Sequence, residues 1–82
     1  MTAHPGWQRE GLTQVARTYE LGTFARAIDL VVKLGALAEK HGHHPDLDVR
    51  GATVRVTWTT HDAGGLTRLD LALAEASDEL VG

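Results

Sequence analysis

The sequence predicts an α+β fold: a β-β-α-β-β-α two-layer domain in which a four-stranded antiparallel sheet carries both helices on one face. Three observations predict it. Residues 12–21, 46–50 and 53–60 alternate apolar with polar side chains at the period of a half-buried strand, whereas 24–41 and 67–80 repeat at helical spacing. Gly11, Gly22, Gly42 and Gly51 punctuate the joints. Turns that short imply antiparallel pairing within each hairpin.

Met1 to Gly6, with Pro5 and Gly6, reads as a frayed terminus, so the domain is taken as residues 7–82. Trp7 to Glu10 is a short strand, turned at Gly11 into a longer one over Leu12 to Leu21. There Val15, Tyr19 and Leu21 share one parity, while Gln14, Thr18 and Glu20 share the other. Arg17 falls on the apolar parity, which calls for a nearby sheet edge or an ionic partner.

Thr23 is placed to cap a helix from Phe24 to about His41. Arg26, Asp29, Lys33 and Lys40 form one polar stripe, and the apolar remainder is wider than a single sheet face covers. The helix is therefore expected to meet a neighbouring helix or a second subunit as well. Gly42 stands where a C-cap glycine belongs, and Pro45 forces His44 into extended backbone. Asp46 to Arg50 and Thr53 to Thr60 then form a hairpin about Gly51-Ala52, with Leu47, Val49, Val54, Val56 and Trp58 inward. Thr67 to Asp70 has the form of a capping box, and Leu69, Ala72, Leu73, Ala76 and Leu80 give the second helix its apolar face.

With 82 residues the chain forms one domain, small enough that help from a partner subunit is expected. The net charge of −3 is spread without a basic block, which argues against nucleic acid as the main ligand, and no apolar run is long enough to span a membrane. Cysteine is absent, so there is neither a disulfide framework nor thiol chemistry. Met1 to Gly6 lacks the charge and hydropathy of a leader, and a cytoplasmic location is the default expectation.

Chemistry concentrates in two segments, Glu39-Lys40-His41-Gly42-His43-His44-Pro45-Asp46 and His61-Asp62-Ala63-Gly64-Gly65-Leu66-Thr67. Imidazole titrates near neutral pH and suits proton transfer, but solvated or structural histidines are an equally open reading of His43, His44 and His61. A zinc site built from His41, His43, His44 and His61 is another. His4 and His41 otherwise read as surface residues. Glu39 alone would be a solvated charge, Gly64-Gly65 a turn rather than a phosphate cradle, and Asp70 a cap of the second helix. Trp7, Tyr19 and Trp58 are most simply core or interface aromatics.

Taken together the spacing is specific. Glu39 precedes His43-His44-Pro45 by three intervening residues, His61 lies sixteen beyond Pro45, and Asp70 lies nine beyond His61. With Ala38-Glu39, Pro45-Asp46 and Thr60-His61-Asp62-Ala63-Gly64-Gly65-Leu66-Thr67, this resembles the pterin-4a-carbinolamine dehydratases (4a-hydroxytetrahydrobiopterin dehydratases) from about Trp7 to the C-terminus.

The resemblance implies a homodimer or homotetramer, the latter through helix pairing. It implies loss of water from a 4a-hydroxytetrahydropterin to give the quinonoid dihydropterin, within tetrahydrobiopterin recycling for aromatic amino acid hydroxylases, chiefly phenylalanine hydroxylase. That reaction needs a proton at the departing hydroxyl and one removed from the ring nitrogen, and it calls for no metal or other cofactor. By resemblance His43 and His61 are the acid and base, His44 holds the pterin, Glu39 orients or charges a histidine, and Asp62 matches an acidic, substrate-binding position. The family pattern places an aromatic residue where this chain has Gly51, so a weaker pocket wall is expected unless Trp58 fills it. Because animal members also serve as dimerisation cofactors of a homeodomain transcription factor, and dehydratase-like proteins can act as assembly factors, a non-catalytic interaction role is the alternative.

Overall fold

The computed structural model describes residues 6–11, 14–59 and 68–81. Its elements follow the predicted order: β1 (Gln8–Glu10), β2 (Gln14–Glu20), α1 (Phe24–His41), β3 (Asp46–Arg50), β4 (Thr53–Thr59) and α2 (Arg68–Val81). The strands form one sheet in the order β1-β2-β4-β3, with every neighbouring pair antiparallel. Among the described residues no helix is long and apolar enough to cross a membrane.

Register decides what faces the helices. Val15 lies opposite Trp58, Tyr19 opposite Val54, and Leu47 opposite Val56, so these side chains share one face of the pleat. Val54, Val56 and Trp58 are fully buried there against Leu30 and Leu34 of α1 and Leu73 of α2.

Both expectations for Arg17 are met. Among the described residues β1 pairs with Gln14 to Ala16, so Arg17 stands just beyond the end of that ladder. The Arg17 guanidinium crosses to Asp78 of α2, with Nη1 3.0 Å from Oδ1. Asp78 also accepts from the Trp7 indole N–H at 3.1 Å and from the Tyr19 hydroxyl at 2.5 Å. Trp7 and Tyr19 meet edge to face, so one carboxylate ties the entry to β1, the strand β2 and the last turns of α2 together.

Burial holds the Tyr19 hydroxyl well above the usual phenol range, and the hydrogen bond to Asp78 and its negative charge add to the shift, against a smaller opposing effect of Arg17. The unfolded chain releases this proton near pH 10 while the folded chain keeps it, so above pH 10 the folded state binds more protons. The stabilisation is complete below about pH 10 and is lost at up to about 1.4 kcal/mol per pH unit above it. Urea titrations at pH 10 and 11 should show a shallower loss of stability in Tyr19→Phe than in the parent. Equal slopes would rule out this origin.

Both ends of α1 are set by its sequence. Thr23 Oγ1 accepts the Arg26 N–H at 3.1 Å, and Gly42 takes the left-handed conformation at φ 61° and ψ 29°. The Gly42 N–H bonds to the Glu39 carbonyl and the His43 N–H to that of Ala38, the paired bonds of a Schellman motif. Ala27, Leu30, Leu34 and Ala38 cover the sheet. Phe24 and Val32 remain 60% and 65% exposed, and with Ile28 they form a second apolar stripe at a spacing of one helical turn.

The predicted face of α2 needs correction. Asp70, Leu73, Ala74 and Ser77 are its buried residues, whereas Leu69 is exposed. At 3.6 residues per turn the buried face is rotated by roughly a quarter-turn from the apolar stripe. Polar groups on the inner side find partners in the sheet and at its end, which an apolar pattern does not register.

Candidate active site

His43 owes its position to the end of α1. The Schellman turn reverses the chain, and Pro45, which cannot continue a helix, sends it into β3. This brings the His43 side chain over the end of β4 and the first turn of α2, where Nε2 lies 2.7 Å from Asp70 Oδ1. Asp70 is fully buried, while the His43 side chain keeps 19% of its surface in solvent.

A buried carboxylate is costly unless it is paired and hydrogen-bonded, and Asp70 meets that condition through the imidazole. With Asp70 ionised its carboxylate only accepts, so the contact calls for the imidazole proton on Nε2 and leaves Nδ1 as the nitrogen able to exchange one. The imidazole lies on the indole of Trp58 with ring centroids 5.9 Å apart and planes 14° from parallel. Trp58 Nε1 in turn donates to Ser77 Oγ at 3.0 Å. His43 is thus fixed at one nitrogen by α2 and across one ring face by β4. The arrangement suits a group that must present a single nitrogen to a reacting atom.

His44 points elsewhere. Its Nε2 lies 2.5 Å from Glu39 Oε2, one helical turn back along α1, and both side chains are largely in solvent. Such an exposed pair contributes little to stability. Glu39 therefore orients His44 rather than His43, and the carboxylate beside His43 is Asp70. Sequence reasoning gave Asp70 only a capping role, although its spacing from His61 was a usable signal. His61 and Asp62 lie outside the described residues, as does Thr67 of the capping box.

Gly51 occupies the turn between β3 and β4 at φ 56°, with open space where a Cβ would stand. Trp58 lies far along β4 from that turn, so the ring packed on His43 comes from Trp58 and not from the Gly51 position. Among the described residues no group of three or more His, Cys, Asp or Glu side chains is arranged to hold a metal ion. A cleft of about 380 Å³ between α1 and the end of α2 is lined by Glu20, Arg26, Asp29, Lys33 and apolar neighbours, with no histidine among the described residues that line it.

Comparison with known proteins places the chain in a family. The model of the pterin 4 alpha carbinolamine dehydratase family matches residues 1–80. The chain belongs to that family. A protein of Chloroflexus aggregans, provisionally named as a pterin-4-alpha-carbinolamine dehydratase, is 48% identical over 82 residues, spanning 100% of this chain and 87% of the relative. One of Nocardia farcinica with the same provisional name is 47% identical over 76 residues, 93% of this chain and 79% of the relative.

Two solved dehydratase-like folds superimpose closely. The transcriptional coactivator/pterin dehydratase of Brucella melitensis gives a TM-score of 0.87 at 30% identity, covering 95% of this chain and 84% of that one. A pterin dehydratase-like protein identified as a RuBisCO assembly factor in the alpha-carboxysome gives 0.82 at 26%, covering 96% and 93%. The fold thus occurs among relatives described by an enzymatic role and among those described by an assembly role.

Proposed function

We propose that this family member dehydrates 4a-hydroxytetrahydropterins by histidine acid-base catalysis. The observation that carries the reading is His43, oriented by the buried Asp70 at 2.7 Å and still partly open to solvent. In the reaction the bond from C4a to the hydroxyl oxygen breaks as that oxygen receives a proton. A ring nitrogen loses a proton, and water and the quinonoid dihydropterin result. A positioned imidazole contributes roughly 10² to 10⁴-fold to such a transfer.

His43 and His61 are the acid and base in this reading, His44 and Asp62 hold the pterin, and Glu39 acts through the His44 to which it is bonded. The chain would serve tetrahydrobiopterin recycling in the cytoplasm alongside a hydroxylase such as phenylalanine hydroxylase. The deciding experiment follows the decay of 4a-hydroxytetrahydropterin with no protein, with the wild type and with His61→Ala. Acceleration by the wild type that falls at least about tenfold in the variant supports the reading. No acceleration by a folded wild type sinks it and favours an interaction or assembly role, to which the RuBisCO assembly factor of similar fold lends support.

The exposed stripe of Phe24, Ile28 and Val32 supports a homo-oligomer closed by helix pairing. Val32→Glu should shift the sedimentation coefficient toward that of a monomer while the far-ultraviolet spectrum stays unchanged. An unchanged coefficient would remove α1 as the interface.

A further inference from the structure

The ring beneath His43 has a support of its own. Trp58 is fully buried, so its indole cannot touch a substrate, and whatever it does for the reaction it does through its neighbours. One neighbour is the His43 imidazole, held nearly parallel at 5.9 Å between centroids. The other is Ser77, also fully buried, whose Oγ accepts the indole N–H at 3.0 Å.

The Ser77 hydroxyl has one hydrogen, and it is donated to the Leu73 carbonyl at 2.7 Å. That bond fixes the hydroxyl rotor and leaves its lone pairs for the indole. The result is a chain of defined donors from Trp58, against which the imidazole stacks, through Ser77 to the α2 backbone carbonyl. An aliphatic β4 side chain would also be at home in the core, but it would offer His43 no flat surface and α2 no donor. Asp70 fixes where Nε2 lies, yet the ring could still swing about that bond. The indole plane removes that freedom and sets where Nδ1 points.

We propose that Trp58, clamped by Ser77, is a positioning residue that sets the plane of the His43 imidazole for proton transfer. As a statement about catalysis this rests on the dehydratase reading. As a statement about ring orientation it does not, and the test separates the two.

Trp58→Leu removes the plane without orphaning a donor, because Ser77 still bonds to Leu73. Trp58→Phe keeps an aromatic plane and loses only the clamp. With 4a-hydroxytetrahydropterin as substrate, kcat should fall about tenfold in Trp58→Leu with KM changed less than about twofold, and Trp58→Phe should recover most of the loss. In proton NMR, the His43 Hδ2 and Hε1 resonances should carry a ring-current shift in the wild type and in Trp58→Phe. In Trp58→Leu they should move to positions without that shift. Wild-type protein without dehydratase activity would end the catalytic reading, and the NMR comparison would then decide the orientation alone. His43 resonances that do not move in Trp58→Leu, or a kcat equal to the parent's in an active enzyme, would overturn the proposal. Ser77→Ala, checked by its melting curve, should fall between the two Trp58 variants, and a kcat above that of Trp58→Phe would remove Ser77 from the device.

Discussion

A His43→Gln variant is expected to fold as the parent does and to dehydrate 4a-hydroxytetrahydropterins about 10² to 10⁴ times more slowly. Glutamine is the informative replacement because its amide N–H reaches roughly where Nε2 stands and can donate to Asp70 Oδ1, the acceptor 2.7 Å away. Alanine would take the imidazole donor away from a fully buried carboxylate, which would mix unfolding with chemistry. The amide cannot exchange a proton near neutral pH, so the lost rate reports the imidazole itself.

Asp70→Asn gives the complementary result. Its amide oxygen can still accept from Nε2, but it cannot stabilise the charged imidazolium, and a loss of about tenfold or more is expected. Initial rates across pH 6 to 9, with melting curves of each variant, check both. A His43→Gln rate within about threefold of the parent would move the proton transfer to His44 or His61.

Much of the fold was legible because its signals are local. Thr23 and Gly42 delimit α1 by capping chemistry that involves only a few neighbouring residues. Inward parity over Val54, Val56 and Trp58 is set by the period of a strand. The face of α2 was illegible for the opposite reason. Asp70, Ser77 and Asp78 turn inward only because His43, Trp58, and the group of Trp7, Arg17 and Tyr19 wait there, and each partner is remote in sequence.

The site divides in the same way. The turn presenting His43 and His44 could be read from Gly42 and Pro45, but which carboxylate serves which histidine depends on tertiary placement. Glu39, nearest in sequence, took His44, and Asp70, from the other helix, took His43.

The largest effect on stability is expected at Asp78. Three donors meet on its carboxylate: the Trp7 indole, the Arg17 guanidinium and the Tyr19 hydroxyl. Trp7 and Tyr19 are buried residues, so in Asp78→Ala their polar atoms lose an acceptor that water does not easily replace. Arg17 and Asp78 are each about one-third exposed, which screens the ionic part and leaves the hydrogen bonds to dominate. A loss of about 2 to 4 kcal/mol follows, a large share of the roughly 5 to 10 kcal/mol available to a domain of this size.

At about 4 to 8 °C per kcal/mol, the melting temperature should drop by roughly 8 to 32 °C. Asp78→Asn keeps an acceptor oxygen and should cost less than half as much. Because Tyr19 and Trp7 share the acceptor, combining Asp78→Ala with Tyr19→Phe should cost less than the sum of the single changes, by about 1 kcal/mol or more. Additive losses, or an Asp78→Ala variant within about 0.5 kcal/mol of the parent, would show that the cluster is ordered by packing around it. Asp78 lies about two turns along α2 from Asp70, so the chemistry of His43 in the folded fraction should survive the change. Activity that falls in proportion to unfolding, and no further, would separate the device that holds α2 down from the one that aims the imidazole.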